Sequence, residues 1–192
     1  MSKPQLILAS ASPRRRELLE QIGISYRVQT ADIDENPWPD EDPCTLVQRL
    51  AKEKAQAIWE VSDKSLPVLG ADTLGVLEGQ LLVKPDDFVS ARQMLLSMSG
   101  RAHTIYSAVA LYHQNAYELA VSESKVWFRM MTEAEVEAYW QHGEPHDKAG
   151  AYAIQGLGAI FVERLEGSYS GVMGLPLFET AQLLAKAGIR VL

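Results

Sequence analysis

Apolar positions in this chain come in short bursts, and their spacing switches between two and nearly four residues. Residues 6–9 form an unbroken apolar run, and 5–9 read as a short buried strand. Ser12-Pro13 then reads as a helix N-cap followed by proline at the first helical position. Helical spacing over 14–22 puts Leu18, Leu19 and Ile22 on one face, and Gly23 closes the helix. Residues 26–29 alternate as a second strand, and 31–42 form a loop rich in Asp, Glu and Pro. Asp42 caps a predicted long helix over 43–60, with Leu46, Leu50, Ala51 and Ile58 on its apolar face. Residues 69–83 read as a hairpin around Glu78-Gly79-Gln80.

A helix over 88–98 follows, capped by Asp86 or Asp87 and ended by Gly100. Two alternating runs, 103–113 and 118–130, flank a turn at Gln114-Asn115. Thr132-Glu133-Ala134-Glu135 is a capping box opening a helix to about Gln141. Residues 143–158 form a glycine-rich loop region, 159–165 a strand, Glu166-Gly167-Ser168 a turn, and 176–187 a last helix closed by Gly188. No repeat, low-complexity segment or linker interrupts this order. Strand–helix units at both ends with long hairpins between them predict a mixed-sheet α/β protein in two lobes with a cleft, not a regular Rossmann wheel.

Composition narrows the picture without naming a function. With 192 residues, 47% of them hydrophobic and 22% charged, the chain suits one α/β domain or two small lobes. The net charge of -7 and the lack of a basic stripe argue against general nucleic-acid binding. The run after Pro4 is too short for a signal-peptide core or a membrane span. The single cysteine, Cys44, has no internal disulfide partner, which fits a cytoplasmic location. Its place in a helix's first turn would favour a thiolate, but no histidine lies near it in sequence. His103, His113, His142 and His146 lack metal-ligand spacing, and no Gly-x-Ser-x-Gly elbow is present.

Five stretches carry candidate chemistry. Ala9-Ser10-Ala11-Ser12-Pro13-Arg14-Arg15 lies between a strand and a helix N-terminus. Small residues, hydroxyls, free amides and two guanidinium forks suit a phosphate. An ordinary N-cap with exposed arginines would look the same, and the P-loop spacing is missing. Val68-Leu69-Gly70-Ala71-Asp72-Thr73 is an apolar strand ending in a carboxylate, able to ligate Mg²⁺ or orient a water, or simply to make a turn. Lys84-Pro85 holds a lysine in extended backbone. It can be read as a phosphate contact or a surface charge, and Lys52 and Lys54 read by default as solvated. Asp32-Ile33-Asp34-Glu35 is either a solvated loop or part of a metal bridge. Asp147-Lys148-Ala149-Gly150-Ala151-Tyr152-Ala153-Ile154-Gln155-Gly156 permits close backbone approach. Its Gln155 amide suits a pyrimidine edge, against the plainer reading of a tight turn.

The order of these stretches along nearly the whole chain strongly resembles the Maf family of nucleotide pyrophosphatases, and Val172-Met173-Gly174-Leu175-Pro176 adds to the likeness. The Asp147–Gln155 form is similar to the subfamily acting on dTTP and UTP. The resemblance implies a single domain over 1–192, two-lobed around one central cleft, related to the inosine triphosphatase class and often a homodimer. It implies hydrolysis of dTTP, UTP and modified pyrimidine triphosphates between the α and β phosphates, assisted by Mg²⁺ or Mn²⁺. Carried over by motif, Asp72 is the proton acceptor. Arg14, Thr73 and Gln155 set substrate choice, and Ser10, Arg15, Lys54 and Lys84 hold phosphates. Glu35 and Asp72 place the metal, with Asp34 an adjacent competitor. A nucleotide-sensing regulator of cell division or septum formation, without essential catalysis, is the alternative function.

Overall fold

Leu6, Ile7 and Leu8 have no solvent exposure at all, as an apolar run without polar alternation requires of a strand covered on both faces. They form β1 (Leu6–Leu8) in a computed structural model that describes residues 3–192. The order continues α1 (Pro13–Gln21), β2 (Tyr26–Val28), α2 (Pro43–Val61), β3 (Val68–Leu77), β4 (Gln80–Leu82), α3 (Phe88–Met98), β5 (Ala102–His113), β6 (Ala116–Phe128), α4 (Glu133–Gln141), β7 (Val162–Glu166), α5 (Tyr169–Met173) and α6 (Leu177–Lys186). Strands hydrogen-bond in the order β2-β1-β3-β5-β6-β7, with β4 paired to β3. β1 runs parallel to β2 and β3, whereas the β3–β4 and β6–β7 pairs are antiparallel. The sheet is therefore mixed and the fold is α/β.

Local chemistry fixes most boundaries. The Asp42 carboxylate accepts the Cys44 and Thr45 amides and starts α2. Asp87 and Ser90 form a reciprocal capping box on α3, as Thr132 and Glu135 do on α4. Gln114 and Asn115 both take positive φ between β5 and β6, the backbone that a tight two-residue hairpin needs. Cys44 serves in the first turn of α2, where Gln48 Nε2 meets its Sγ at 3.3 Å.

Two expectations shift. The strand expected over 159–165 starts at Val162, because Leu157–Phe161 forms a 3₁₀ turn first. Two shorter 3₁₀ turns, Glu144–Asp147 and Ala149–Ala151, shape the glycine-rich stretch before it. The helix α5 was not predicted: five residues are too few to show a periodicity.

The chain divides into two compact units. The first comprises the chain up to Thr73, Tyr106–Ser122 and Gly174–Leu192; the second comprises Leu74–Ile105 and Glu123–Met173. The first unit buries β1 with Leu18 and Leu19 of α1, Leu46, Val47, Leu50 and Ile58 of α2, and Leu183 and Leu184 of α6. The second unit has its own cluster, in which Leu95, Met98, Val126, Phe128, Tyr139 and Phe161 are almost fully enclosed. Each fully buried aliphatic or aromatic side chain stabilises its unit by about 1.5–3 kcal/mol. Among the described residues, no helix is long and apolar enough to cross a membrane.

Candidate functional site

Gly70 explains how the first unit assembles its charged side chains. A Cβ there would lie 2.3 Å from the Ala51 carbonyl oxygen and 2.6 Å from the Ala55 nitrogen. Only glycine lets α2 rest this closely on β3. Lys54 shares the Ala51–Ala55 face of α2, and Asp72, two residues after Gly70, shares its face of β3. The close approach thus sets Lys54 against Asp72, and Nζ donates to Oδ1 at 2.7 Å. The same ammonium meets Glu35 Oε1 at 3.0 Å.

Lys54 and Asp72 are each only 8% exposed, so the default reading of Lys54 as a solvated charge is wrong. Its tether to β3 overrides its helical setting, and two carboxylates offset the cost of burying an ammonium. Asp72 is not at a strand end either. It sits inside β3, which continues to Leu77 because the β4 hairpin pairs with it. In the acidic loop it is Glu35 that reaches Lys54. Asp34 Oδ1 instead accepts the amide and side chain of Asn36. Arg49 steadies that loop, binding both Glu41 oxygens and the Asn36 carbonyl and stacking 4.2 Å from the Trp38 ring. These bonds hold the Glu41 carboxyl below its usual pKa.

The Ser10–Arg15 loop is organised by one hydroxyl. Ser10 Oγ accepts the Ser12 amide at 3.2 Å and Arg15 Nη1 at 3.0 Å. Ser12 is the N-cap of α1, but its side chain makes no capping bond, which leaves first-turn amides for an anion. Arg15 Nε donates to the Gly174 carbonyl at 2.8 Å. Gly174 has φ +125°, a backbone that favours glycine. Burial pushes the Arg15 pKa down, the negative charge of Asp72 opposes this, Arg14 adds to the fall, and Glu35 opposes it. Arg15, Lys54, Asp72 and Glu35 therefore form one electrostatic group with balanced charge. Thr73 Oγ1 is 2.9 Å from Ser107 Oγ on β5. Ser107 was not singled out from sequence, and Gly70 and Gly174 stood within quoted motifs without a role of their own. The signal for Ser107 was a lone hydroxyl in the apolar run 105–112.

The second unit carries Lys84 and Gln155, both exposed. The Gly150 amide donates to the Val83 carbonyl at 3.0 Å, so the loop bearing Gln155 is tied beside Lys84. Gly150 and Ala151 both have positive φ, +75° and +56°, a tight bend in which Ala151 is strained. Tyr152 is buried, and its hydroxyl lies 2.8 Å from His103 Nε2. Burial pushes the Tyr152 pKa up and lowers that of His103 to about 4. His103 is thus a neutral core residue.

Comparison with known proteins adds a lineage to this geometry. The family described as "Maf-like protein" matches residues 5–187. A protein of Pseudoalteromonas atlantica named "dTTP/UTP pyrophosphatase" is 49% identical, covering 96% of this chain and 97% of its own. One of Aliivibrio fischeri with the same name is 48% identical, covering 94% of this chain and 96% of its own. A solved nucleoside-triphosphatase / dITP/XTP pyrophosphatase of Mycobacterium abscessus aligns with 64% of this chain and 72% of its own. Its TM-score is 0.39 at 16% identity, too slight a likeness to carry an argument.

Proposed function

This chain belongs to the Maf-like family, and from that premise we propose how it works as a nucleoside triphosphate pyrophosphatase acting on dTTP and UTP. Water attacks the α-phosphorus, a new P–O bond forms, and the bond to the bridging oxygen breaks. The nucleoside monophosphate and pyrophosphate are released. Modified pyrimidine triphosphates are further candidate substrates.

The observation that carries the mechanism is the Lys54 ammonium against Asp72 and Glu35. Lys54 engages Asp72 Oδ1, and the other carboxylate oxygen would take the proton of the attacking water. Two of the three Lys54 protons serve carboxylates, which leaves one for a phosphate. Ser10, Arg15 and Lys84 would hold further phosphate oxygens. The bonds of Arg15 to Ser10 and Gly174 fix its fork while leaving Nη2 for the ligand. Arg14, Thr73 and Gln155 would set substrate choice.

Asp72 and Glu35 supply hard oxygen donors that fit Mg²⁺ or Mn²⁺. Among the described residues, no group of three or more His, Cys, Asp or Glu side chains is gathered to hold an ion. Phosphate oxygens and waters would complete its shell. A bound cation would acidify water and offset phosphate charge. The balanced charge of the Arg15–Lys54–Asp72–Glu35 group supports this reading, since it has little positive charge to spare for a triphosphate. We place the protein in the cytoplasm, where the lone Cys44 stays reduced, and expect a homodimer on the family's behaviour alone.

The test is pyrophosphate release with Mg²⁺ across dTTP, UTP, CTP and purine triphosphates, with the monophosphate product identified. dTTP and UTP should lead. Tight dTTP binding without turnover would contradict the reading.

A further inference from the structure

Gln155 is exposed, yet the backbone on both sides of it is held by two side chains from the α4 region. Just before it, the Ala153 amide donates to the Tyr139 hydroxyl at 3.1 Å. That hydroxyl donates to Glu144 Oε1 at 2.6 Å. Just after it, the Gly158 amide reaches Glu144 Oε1 at 2.9 Å and the Leu157 amide reaches Oε2 at 2.9 Å. One carboxylate thus takes three donors, two of them the first free amides of the Leu157–Phe161 turn.

The glycines are shaped to this arrangement. A Cβ at Gly156 would lie 2.0 Å from Glu144 Oε2, and one at Gly158 would lie 2.6 Å from the Tyr139 hydroxyl. Neither Gly156 nor Gly158 has positive φ, so space rather than backbone freedom excludes side chains there. Burial works against the Glu144 carboxylate, but the bonds from Tyr139, Gly158 and Leu157 outweigh it and hold its pKa below the usual value. Tyr139 is itself only 2% exposed. The anchor therefore rests on the core of the second unit.

We infer that Glu144 and Tyr139 are positioning residues for Gln155, fixing the backbone that carries its amide and thereby the base selectivity of this enzyme. The inference rests on the reading that Gln155 meets the base. A side-chain amide selects a base edge only if its donor and acceptor are held in place. Gln155 is exposed, so the hold on its amide falls to the backbone that carries it. Neither Glu144 nor Tyr139 touches the substrate in this account.

The test uses the full chain with three substitutions, Glu144→Gln, Tyr139→Phe and Gly156→Ala, beside Gln155→Ala as reference. Glu144→Gln turns one acceptor into a donor facing an amide. Gly156→Ala instead displaces the carboxylate and leaves Glu144 in the chain. Each should lower the kcat/KM ratio of dTTP over CTP by about tenfold, the scale of one lost hydrogen bond. The change should fall on KM, with kcat for dTTP nearly kept. Amide hydrogen exchange at Leu157 and Gly158 should quicken in the same variants. If Gln155→Ala leaves the ratio unchanged, the base-reading role of Gln155 fails, and the inference falls with it. If Gln155→Ala changes the ratio while Glu144→Gln and Gly156→Ala quicken exchange without changing it, only the positioning inference is overturned. Should Tyr139→Phe fail to fold, the other two variants decide the matter.

Discussion

The first unit holds its functional groups with side-chain charges, whereas the second holds its own with backbone bonds. Around Lys54, an ammonium and two carboxylates fix one another, and glycine at position 70 brings the helix close enough to allow it. Around Gln155 the functional side chain is free, and the chain beneath it is pinned by Glu144 and Tyr139. The difference fits the roles proposed for the two regions. Charge development and proton transfer require groups whose electrostatics are set beforehand. Base choice requires a donor and an acceptor held at a fixed spot.

Substitutions should separate the two regions, and the largest effect belongs to the first. Asp72→Asn should lower turnover by about a thousandfold for every nucleotide alike. Its fold should survive, because Lys54 keeps Glu35 as a counter-ion. Circular dichroism and steady-state assays would check both statements. A nucleotide-dependent loss would blur the contrast drawn above.

Acid should strike the second unit. His103 is 2% exposed, with its pKa pushed down from 6.5 to about 4 by burial. As pH falls, the unfolded chain therefore takes up the proton before the folded one does. The stability held by neutral His103 is complete above about pH 6.5 and drains away toward about pH 4, about 3 kcal/mol at most. Thermal melts over this range should show the loss, and His103→Gln should flatten it. An equal slope in that variant would assign the effect to other groups.

Gly70→Ala should destabilise by about 1–3 kcal/mol, since a methyl would meet the α2 backbone. It should also reduce turnover by shifting Lys54 away from Asp72. A variant of full activity and stability would show that the α2 contact does not set the charged group. The smallest effect is expected from Gln155→Ala, about a tenfold change in base preference with little loss of rate.

How much of this was legible in the sequence depended on how local the cause was. The caps at Asp42 and Thr132, the turn at Gln114-Asn115 and the closing Gly188 all act over a few residues and stood out, and the α3 cap was narrowed to Asp86 or Asp87. Asp72 was visible as a carboxylate after an apolar run, but its place inside β3 needed the pairing with β4. Lys54 looked solvated because helical spacing does not reveal a glycine at position 70, in a strand beyond the end of the helix. Arg15 and Gly174 are 159 residues apart, and no local pattern links them. Glu144 was hidden for a related reason. Its partners are amides, which carry no sequence signature, and only the glycines at 156 and 158 hinted that something approaches there. The mixed α/β fold was legible in the order of strand and helix patterns, and the proposed dTTP/UTP activity in the order of motifs; the arrangement that serves them was not.

The most direct measurement compares Asp72→Asn with Gln155→Ala, as kcat/KM for dTTP, UTP, CTP and dGTP. The account predicts a uniform, about thousandfold loss in the first variant with the order of nucleotides preserved. It predicts a changed order with a near-native rate in the second. Turnover surviving in Asp72→Asn, or a uniform loss in Gln155→Ala, would contradict the division of roles between the two regions.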